Sequence, residues 1–147
     1  MNLLIIFIVF LADRILKLLV MRYPENTRFF LLPDIVEGIR TINTGAAFSL
    51  FRDHPGILSA VSILLILLAV GLLHMARSKA VKAALAALIG GALGNLLDRF
   101  LYQGVTDYIH LLFVPFPIFN FADICITCGA IYLLFYLVIK GDQVFHD

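Results

Sequence analysis

Charge is what this sequence has least of. Of 147 residues only 14% are Asp, Glu, Lys or Arg, against 62% hydrophobic residues. A soluble domain usually carries about 25% charged and about 45–50% apolar residues. The composition argues against a soluble globular domain and excludes a disordered chain, which needs the opposite balance. Nor does charge of one sign accumulate. Eleven basic and 10 acidic residues leave a formal net charge of +1, which is no footprint for nucleic acid. Cysteine is scarce as well. Cys125 and Cys128 stand in C-I-T-C without the second pair a zinc site needs. They fall in an apolar stretch and read as buried thiols. His54, His74, His110 and His146 are scattered and no H-E-x-x-H occurs, so a zincin-type site has no support. No G-x-S-x-G marks a serine nucleophile, and Ser49 has no base at a recognisable spacing. A secretion signal is missing too. The N-terminal apolar run has no basic n-region, is interrupted by Asp13, Arg14 and Lys17, and is followed by no A-x-A site. It reads as a retained helix.

Long hydrophobic runs are what remain. Between Asp53 and Arg77 no residue is charged. With spans of about 20 residues, four would use about 80 and leave roughly 67 for loops and one small accessory element. The expected fold class is a membrane all-α protein: a four-transmembrane-helix bundle with a small extracytoplasmic β-cradle. One domain covers 1–147, with helices at about 2–21, 57–75, 81–101 and 118–139. The segment from Tyr23 to Pro55 differs in composition, holding Pro24, Pro33, Gly38, Gly45 and most of the charge. Phe29–Leu32 and Ile35–Ile42 are short, β-branched and partly alternating. A sheet-like element at about 26–52 is therefore expected on the outer membrane surface. Arg77, Lys79 and Lys82 cluster in the short connection between the second and third spans, and Lys140 joins them, which places that side and both termini in the cytoplasm. Five arginines on the opposite side are spread over a longer segment and mixed with acids.

With that topology the embedded polar residues converge. Intramembrane ionisable groups cost about 2.5–3.5 kcal/mol on insertion scales, so each needs a reason. Asp13 and Lys17 are i,i+4 on the first helix. Asn95, Asp98 and Arg99 end the third, with Asp98 and Arg99 readable as a structural pair. Asn120 and Asp123 open the fourth and repeat the N-x-x-D spacing of Asn95 and Asp98. No base follows Asp123 until Lys140, so local pairing does not account for it. Asp107 is expected in a loop that Pro115 and Pro117 turn back towards Asp123. All these groups lie towards the outer face, which suggests one polar site there. Gly90, Gly91 and Gly94 form a small-residue face for close helix contact. Read from the residues alone, four functions stay open. They are an aspartyl protease, a transporter relaying protons through Asp13, Asp98 and Asp123, a metal-dependent hydrolase using Asp107, His110 and Asp123, and a structural subunit.

Five motifs in order narrow this: Asp13–Lys17 (DRILK), Asn43–Ser49 (NTGAAFS), Gly90–Arg99 (GGALGNLLDR), Val105–Tyr108 (VTDY) and Phe119–Asp123 (FNFAD). Nearly the whole chain resembles the lipoprotein signal peptidases, also called signal peptidase II. The resemblance implies a multi-pass aspartyl endopeptidase of the bacterial inner membrane. It would remove the signal peptide from lipid-modified prolipoproteins just before the diacylglyceryl cysteine. The V-x-D-[FY] and F-N-x-A-D motifs imply Asp107 and Asp123 as the catalytic pair. Support is implied at Asp13, Lys17, Asn43, Gly45, Asn95, Asp98, Arg99, Asn120 and Ala122. Tyr108 stands where Phe is common. No metal and no cofactor are implied. Partners would be the prolipoprotein and membrane lipids, with no nucleic acid, and the chain would act as a monomer with its site towards the outer face.

Overall fold

The computed structural model describes residues 2–45 and 55–140. Four helices and three strands follow one another: α1 (Asn2–Val20), β1 (Arg28–Leu32), β2 (Val36–Asn43), α2 (Pro55–Met75), α3 (Lys79–Tyr102), β3 (Val105–Leu111) and α4 (Phe121–Lys140). Apolar runs of about 20 residues form helices because helix satisfies every backbone group within the segment, which an apolar surround demands. The breaks come where chemistry allows them. Proline opens α2, where its missing N–H is not needed. Gln103 ends α3 in the left-handed region at φ 57°, its N–H returning 3.1 Å to the Arg99 carbonyl. α3 is the central helix and packs against α1, α2 and α4.

Burial runs opposite to that of a soluble protein. Lys17, Asp13, Asp98 and Asn120 have 0% exposure, whereas Leu3 is 81% and Val138 77% exposed. Apolar side chains cover the outside of α1, α2 and α4, far more than a soluble monomer leaves bare. The helical stretches Gly56–Met75, Lys79–Tyr102 and Phe121–Lys140 are long and apolar enough to cross a membrane. α1 has 19 residues and carries Asp13, Arg14 and Lys17.

The sheet has the order β1–β2–β3, antiparallel throughout. Two of its strands are the expected β-like pieces near 29–32 and 35–42; the remainder of the expected segment, 46–52, lies outside the described residues. The third strand overturns an expectation. Asp107 lies not in a loop but within β3, where it pairs with Thr41 of β2. A further bridge joins Ile109 to Phe119, so the chain folds back beside β3 before α4 begins. α4 itself starts at Phe121 rather than 118. Pro117 and the Asn120 cap hold the chain out of helix until then. Asp123 therefore sits in the first turn of α4.

The glycine-rich face of α3 serves two neighbours, both within this chain. A Cβ at Gly90 would meet the Ile6 carbonyl of α1 at 2.8 Å, and one at Gly91 would meet the Ala122 carbonyl of α4 at 2.7 Å. At Gly94 it would collide with the Asp13 carboxylate. Only glycine lets the three backbones approach so closely. Gly94→Ala is expected to lower the thermal midpoint in detergent by several degrees, since overpacking costs about 1–3 kcal/mol. Gly71 of α2 has open space around it, so Gly71→Ala should leave the midpoint unchanged or raise it slightly.

Candidate active site

The polar residues of α1, α3, β3 and α4 form one connected network, starting from a buried ammonium. Lys17 reaches between α1 and α3, with Nζ 2.9 Å from Asp13 Oδ2, 2.7 Å from Asn95 Oδ1 and 3.3 Å from Asp98 Oδ2. An ammonium has three donors and no acceptor, and here it faces three oxygens. Arg14 pairs with the other oxygen of Asp98. Two cations and two carboxylates thus balance in a region from which water is excluded. Asp98 also accepts the Thr106 N–H at 2.9 Å, which ties the start of β3 to the end of α3. The expected pairing of Asp98 with Arg99 does not form. Neighbours on a helix point about 100° apart, given 3.6 residues per turn. Arg99 turns the other way and donates to Ser62 Oγ of α2 at 3.3 Å.

The ammonium settles how Asn95 is oriented. Its oxygen must face Lys17, so its amide nitrogen is left to donate, and it does so to Asp123 Oδ1 at 2.8 Å. Asn120 is placed by helix capping. Its Oδ1 accepts the Asp123 N–H at 2.9 Å, while Asp123 Oδ2 accepts the Asn120 N–H at 3.1 Å. This reciprocal pair satisfies two donors at the start of α4 in the manner of a capping box. The Asn120 amide nitrogen is then free to donate to Asp107 Oδ1 at 2.7 Å and Asn95 Oδ1 at 3.1 Å. From β2, Asn43 Nδ2 donates to the other oxygen of Asp107 at 3.0 Å. The Gly45 N–H closes on Asn43 Oδ1 at 3.0 Å, which aims the Asn43 nitrogen at Asp107. Ala122, fully buried, seats the first turn of α4 on Gly91.

Asp107 and Asp123 both line a cleft of about 880 Å3. Its other walls include Asn43, Asn95, Arg99 and Phe116. Burial, followed by the charge of Asp123, pushes the Asp107 carboxyl up to about 7, against the opposing hydrogen bonds of Asn43 and Asn120. Asp13, Lys17 and Asp98 stand behind the cleft. Two readings change. His110 bonds to Glu37 at 2.8 Å and does not line the cleft, so Asp107, His110 and Asp123 form no metal triad; no cluster of three His, Cys, Asp or Glu with that capacity occurs among the described residues. Cys128 is exposed and lines the cleft rather than being buried. Tyr108 is buried, its hydroxyl accepting the Phe121 N–H at 3.3 Å. Ser62, Thr106 and Thr41 were missed as contributors. Ser62 carries no signal in an apolar run, and Thr106 acts through its backbone.

Removing Lys17 would leave two buried carboxylates short of a partner. Lys17→Met is expected to destabilise the fold by about 3–5 kcal/mol, the usual cost of breaking a buried ion pair from one side. Adding Asp13→Asn should recover part of that loss. Thermal melts of the two variants in detergent check both statements.

The chain matches known proteins over nearly its whole length. The family described as signal peptidase (SPase) II matches residues 5–139. It is 30% identical to the lipoprotein signal peptidase of Clostridium acetobutylicum, over 97% of each chain. Against that of Clostridium tetani it is 33% identical, over 97% of this chain and 94% of the relative. A bacterial membrane enzyme solved by the in meso method at 2.3 Å superposes with a TM-score of 0.81 at 26% identity, covering 99% of this chain and 91% of that one. With the ordered motifs, the three helices packed around α3 and the carboxylates in one cleft, these likenesses place the chain in the signal peptidase II family.

Proposed function

We propose that the chain is an aspartyl endopeptidase that cuts the signal peptide from diacylglyceryl-modified prolipoproteins just before the lipidated cysteine. Membership of the family supports prolipoprotein as substrate. The aspartyl chemistry rests on one observation: Asp107 and Asp123, brought from a strand and a helix, line one cleft and share Asn120 as a hydrogen-bond partner. Two adjacent carboxylates in a low-dielectric site share a proton rather than both ionising. The ionised member takes a proton from a water as it attacks the scissile carbonyl. The protonated member polarises that carbonyl and later helps protonate the leaving amine. The donors from Asn43, Asn95 and Asn120 hold both carboxylates in place, and every step uses protons the pair already handles. Arg99 is a cation in the cleft wall, suited to contact a substrate carbonyl.

The same reading makes α1 a fourth membrane span. Its charges are buried against α3 and its outer face is apolar, so it presents to lipid what the other helices present. With Arg77, Lys79 and Lys82 on the cytoplasmic side, both termini lie inside and the cleft opens towards the outer leaflet. The first turn of α4 places Asp123 near that interface, where the end of a signal-peptide helix would arrive. The chain acts as a monomer, its close glycine contacts being internal.

Asp107→Asn and Asp123→Asn should each abolish release of the signal peptide from a lipid-modified prolipoprotein, in protein that still inserts and melts normally. Chelator should change nothing. Full turnover by either variant would remove the pair from the mechanism; sensitivity to chelator would favour a metal-dependent hydrolase.

The pH profile tests the shared proton. Activity needs one proton on the pair, so it should fall as pH rises through about 7, where Asp107 loses it. The Asn43 hydrogen bond favours the charged form of Asp107. Asn43→Ala should therefore move the alkaline limb to higher pH, along with any loss in turnover. A limb that stays put would show that Asp107 does not set it.

A further inference from the structure

The sheet carries an apolar end of which Leu111 and Phe116 line the cleft, while Phe30, Leu32, Ile35, Phe113 and Val114 lie outside it. The β1–β2 turn and the loop after β3 lie side by side there: Val36 pairs with Leu111, and the Leu112 N–H donates to the Ile35 carbonyl at 2.9 Å. Phe30 is 75% exposed and Phe113 69%, with Leu32, Ile35 and Val114 also exposed. From Leu111 to Phe119 the sequence LLFVPFPIF has no charged residue. On a surface facing water such a patch would be an aggregation hazard.

We propose that this double tip is a wedge that dips into the acyl region of the outer leaflet and fixes the height of the sheet over the bilayer. The sheet's place on the outer surface belongs to the reading above; the inference concerns its tip. Three observations select lipid as the occupant. The first is continuity, because the loop runs straight into α4, a membrane-crossing helix, and Phe116 is only five residues before its first residue. The second is backbone satisfaction. A lipid-immersed loop must not leave N–H groups unpaired. Pro33, Pro115 and Pro117 have none, and Ile35, Leu112 and Phe119 donate to carbonyls within the same end of the sheet, so the N–H groups of Phe113, Val114, Phe116 and Ile118 are left for lipid oxygens at the headgroup–acyl boundary. The third is the placing of charge. Asp34, in the β1–β2 turn, is the one charge at the tip. The cluster of Arg28, Glu37 and His110 stands behind it, with Glu37 2.8 Å from His110 and 3.2 Å from Arg28. One carboxylate at the turn limits the wedge to a shallow depth, about 5–10 Å, as for interfacial helices.

The wedge would act on the cleft through β3. Asp107 is four residues from Leu111, roughly 13 Å along a strand at about 3.3 Å per residue. Asp123 is held by a helix that crosses the bilayer. Anchoring the far end of β3 in the same leaflet holds the two carboxylates at one height on separate elements.

The sequence has no tryptophan, so Phe113→Trp and Phe30→Trp each create a single emitter in the full chain. In phosphatidylcholine vesicles both should emit at the blue-shifted wavelengths of an apolar site. Lipids brominated near the headgroup end of the chain should quench them several-fold more than acrylamide does. Phe135→Trp, on the exposed face of α4, gives the reference for a lipid-facing position. Quenching by acrylamide alone would overturn the proposal. So would protection from both quenchers together with a concentration-dependent cross-linked dimer, which would make the tip an interface between copies. These measurements need no catalysis, so their failure is separate from failure of the peptidase reading. The height-setting part has its own test. Phe30→Asp with Phe113→Asp should keep the detergent melting temperature and turnover in micelles, yet lose about tenfold in turnover of bilayer-embedded prolipoprotein. Equal turnover in bilayers would overturn it.

Discussion

The buried ammonium of Lys17 is the constraint on which the rest depends. Removing such a charge from water costs several kcal/mol, and the fold compensates by surrounding it with Asp13, Asn95 and Asp98. That requirement brings α1 against α3 at contact distance, which only Gly90 and Gly94 permit. It also decides the orientation of one amide. Because Lys17 only donates, Asn95 presents its oxygen to α1 and its nitrogen to Asp123. A charge on α1 thereby determines a hydrogen bond made at the start of α4. Asp98 carries the same influence in a second direction, through the Thr106 N–H into the strand that holds Asp107. Both carboxylates of the proposed pair are thus referenced to one ion cluster, though neither touches Lys17.

How much of this was legible in the sequence depended on the range of the interaction. The helices were readable because spanning a bilayer demands a long apolar run, and nothing else in a small protein resembles one. Asp123 stood out because an acid in such a run has no local partner. The pairing of Lys17 with Asp13 was readable too, since i,i+4 residues share a helix face. Arg14 with Asp98 was not, being 84 residues apart in the chain, and the tempting neighbour pair of Asp98 with Arg99 fails on helical geometry alone. β3 was missed for a related reason. V-T-D-Y-I-H alternates weakly, and the strand exists because β2, more than 60 residues earlier, offers it an edge. The start of α4 could have been placed better: Asn120 followed three residues later by Asp123 is a capping pattern, and Pro117 forbids helix before it.

The inverted burial explains the scarcity of charge. A soluble protein spends its charged residues on solvation of its surface. Here the surface of the helices faces hydrocarbon, and the few ionisable groups are left for the interior. Those groups fall into two sets with opposite electrical character. The set made by Asp13, Arg14, Lys17 and Asp98 is neutral as a whole, and it is closed to the cleft. The set made by Asp107 and Asp123 is open to the cleft and carries an excess of negative charge, with Arg99 as the nearest cation on its wall. Balance in the first set makes it a scaffold. In the second, burial first and then the charge imbalance raise the affinity of Asp107 for a proton.

The depth of the site follows from helix capping. The first turn of any helix presents N–H groups without intrahelical partners, and in an apolar medium each must find an acceptor. At α4 the acceptors are Asn120 Oδ1 and Asp123 Oδ2, so Asp123, which helps the helix begin, also faces the cleft, while the buried Asn120 donates to Asp107 from behind. A carboxylate placed two turns deeper would have no free backbone donors to hold it and no strand beside it to bring a second carboxylate. The start of the helix is the level at which β3 and α4 each contribute an aspartate to the cleft. In the proposed reaction, the position of the scissile bond is in this sense set by where α4 can be capped.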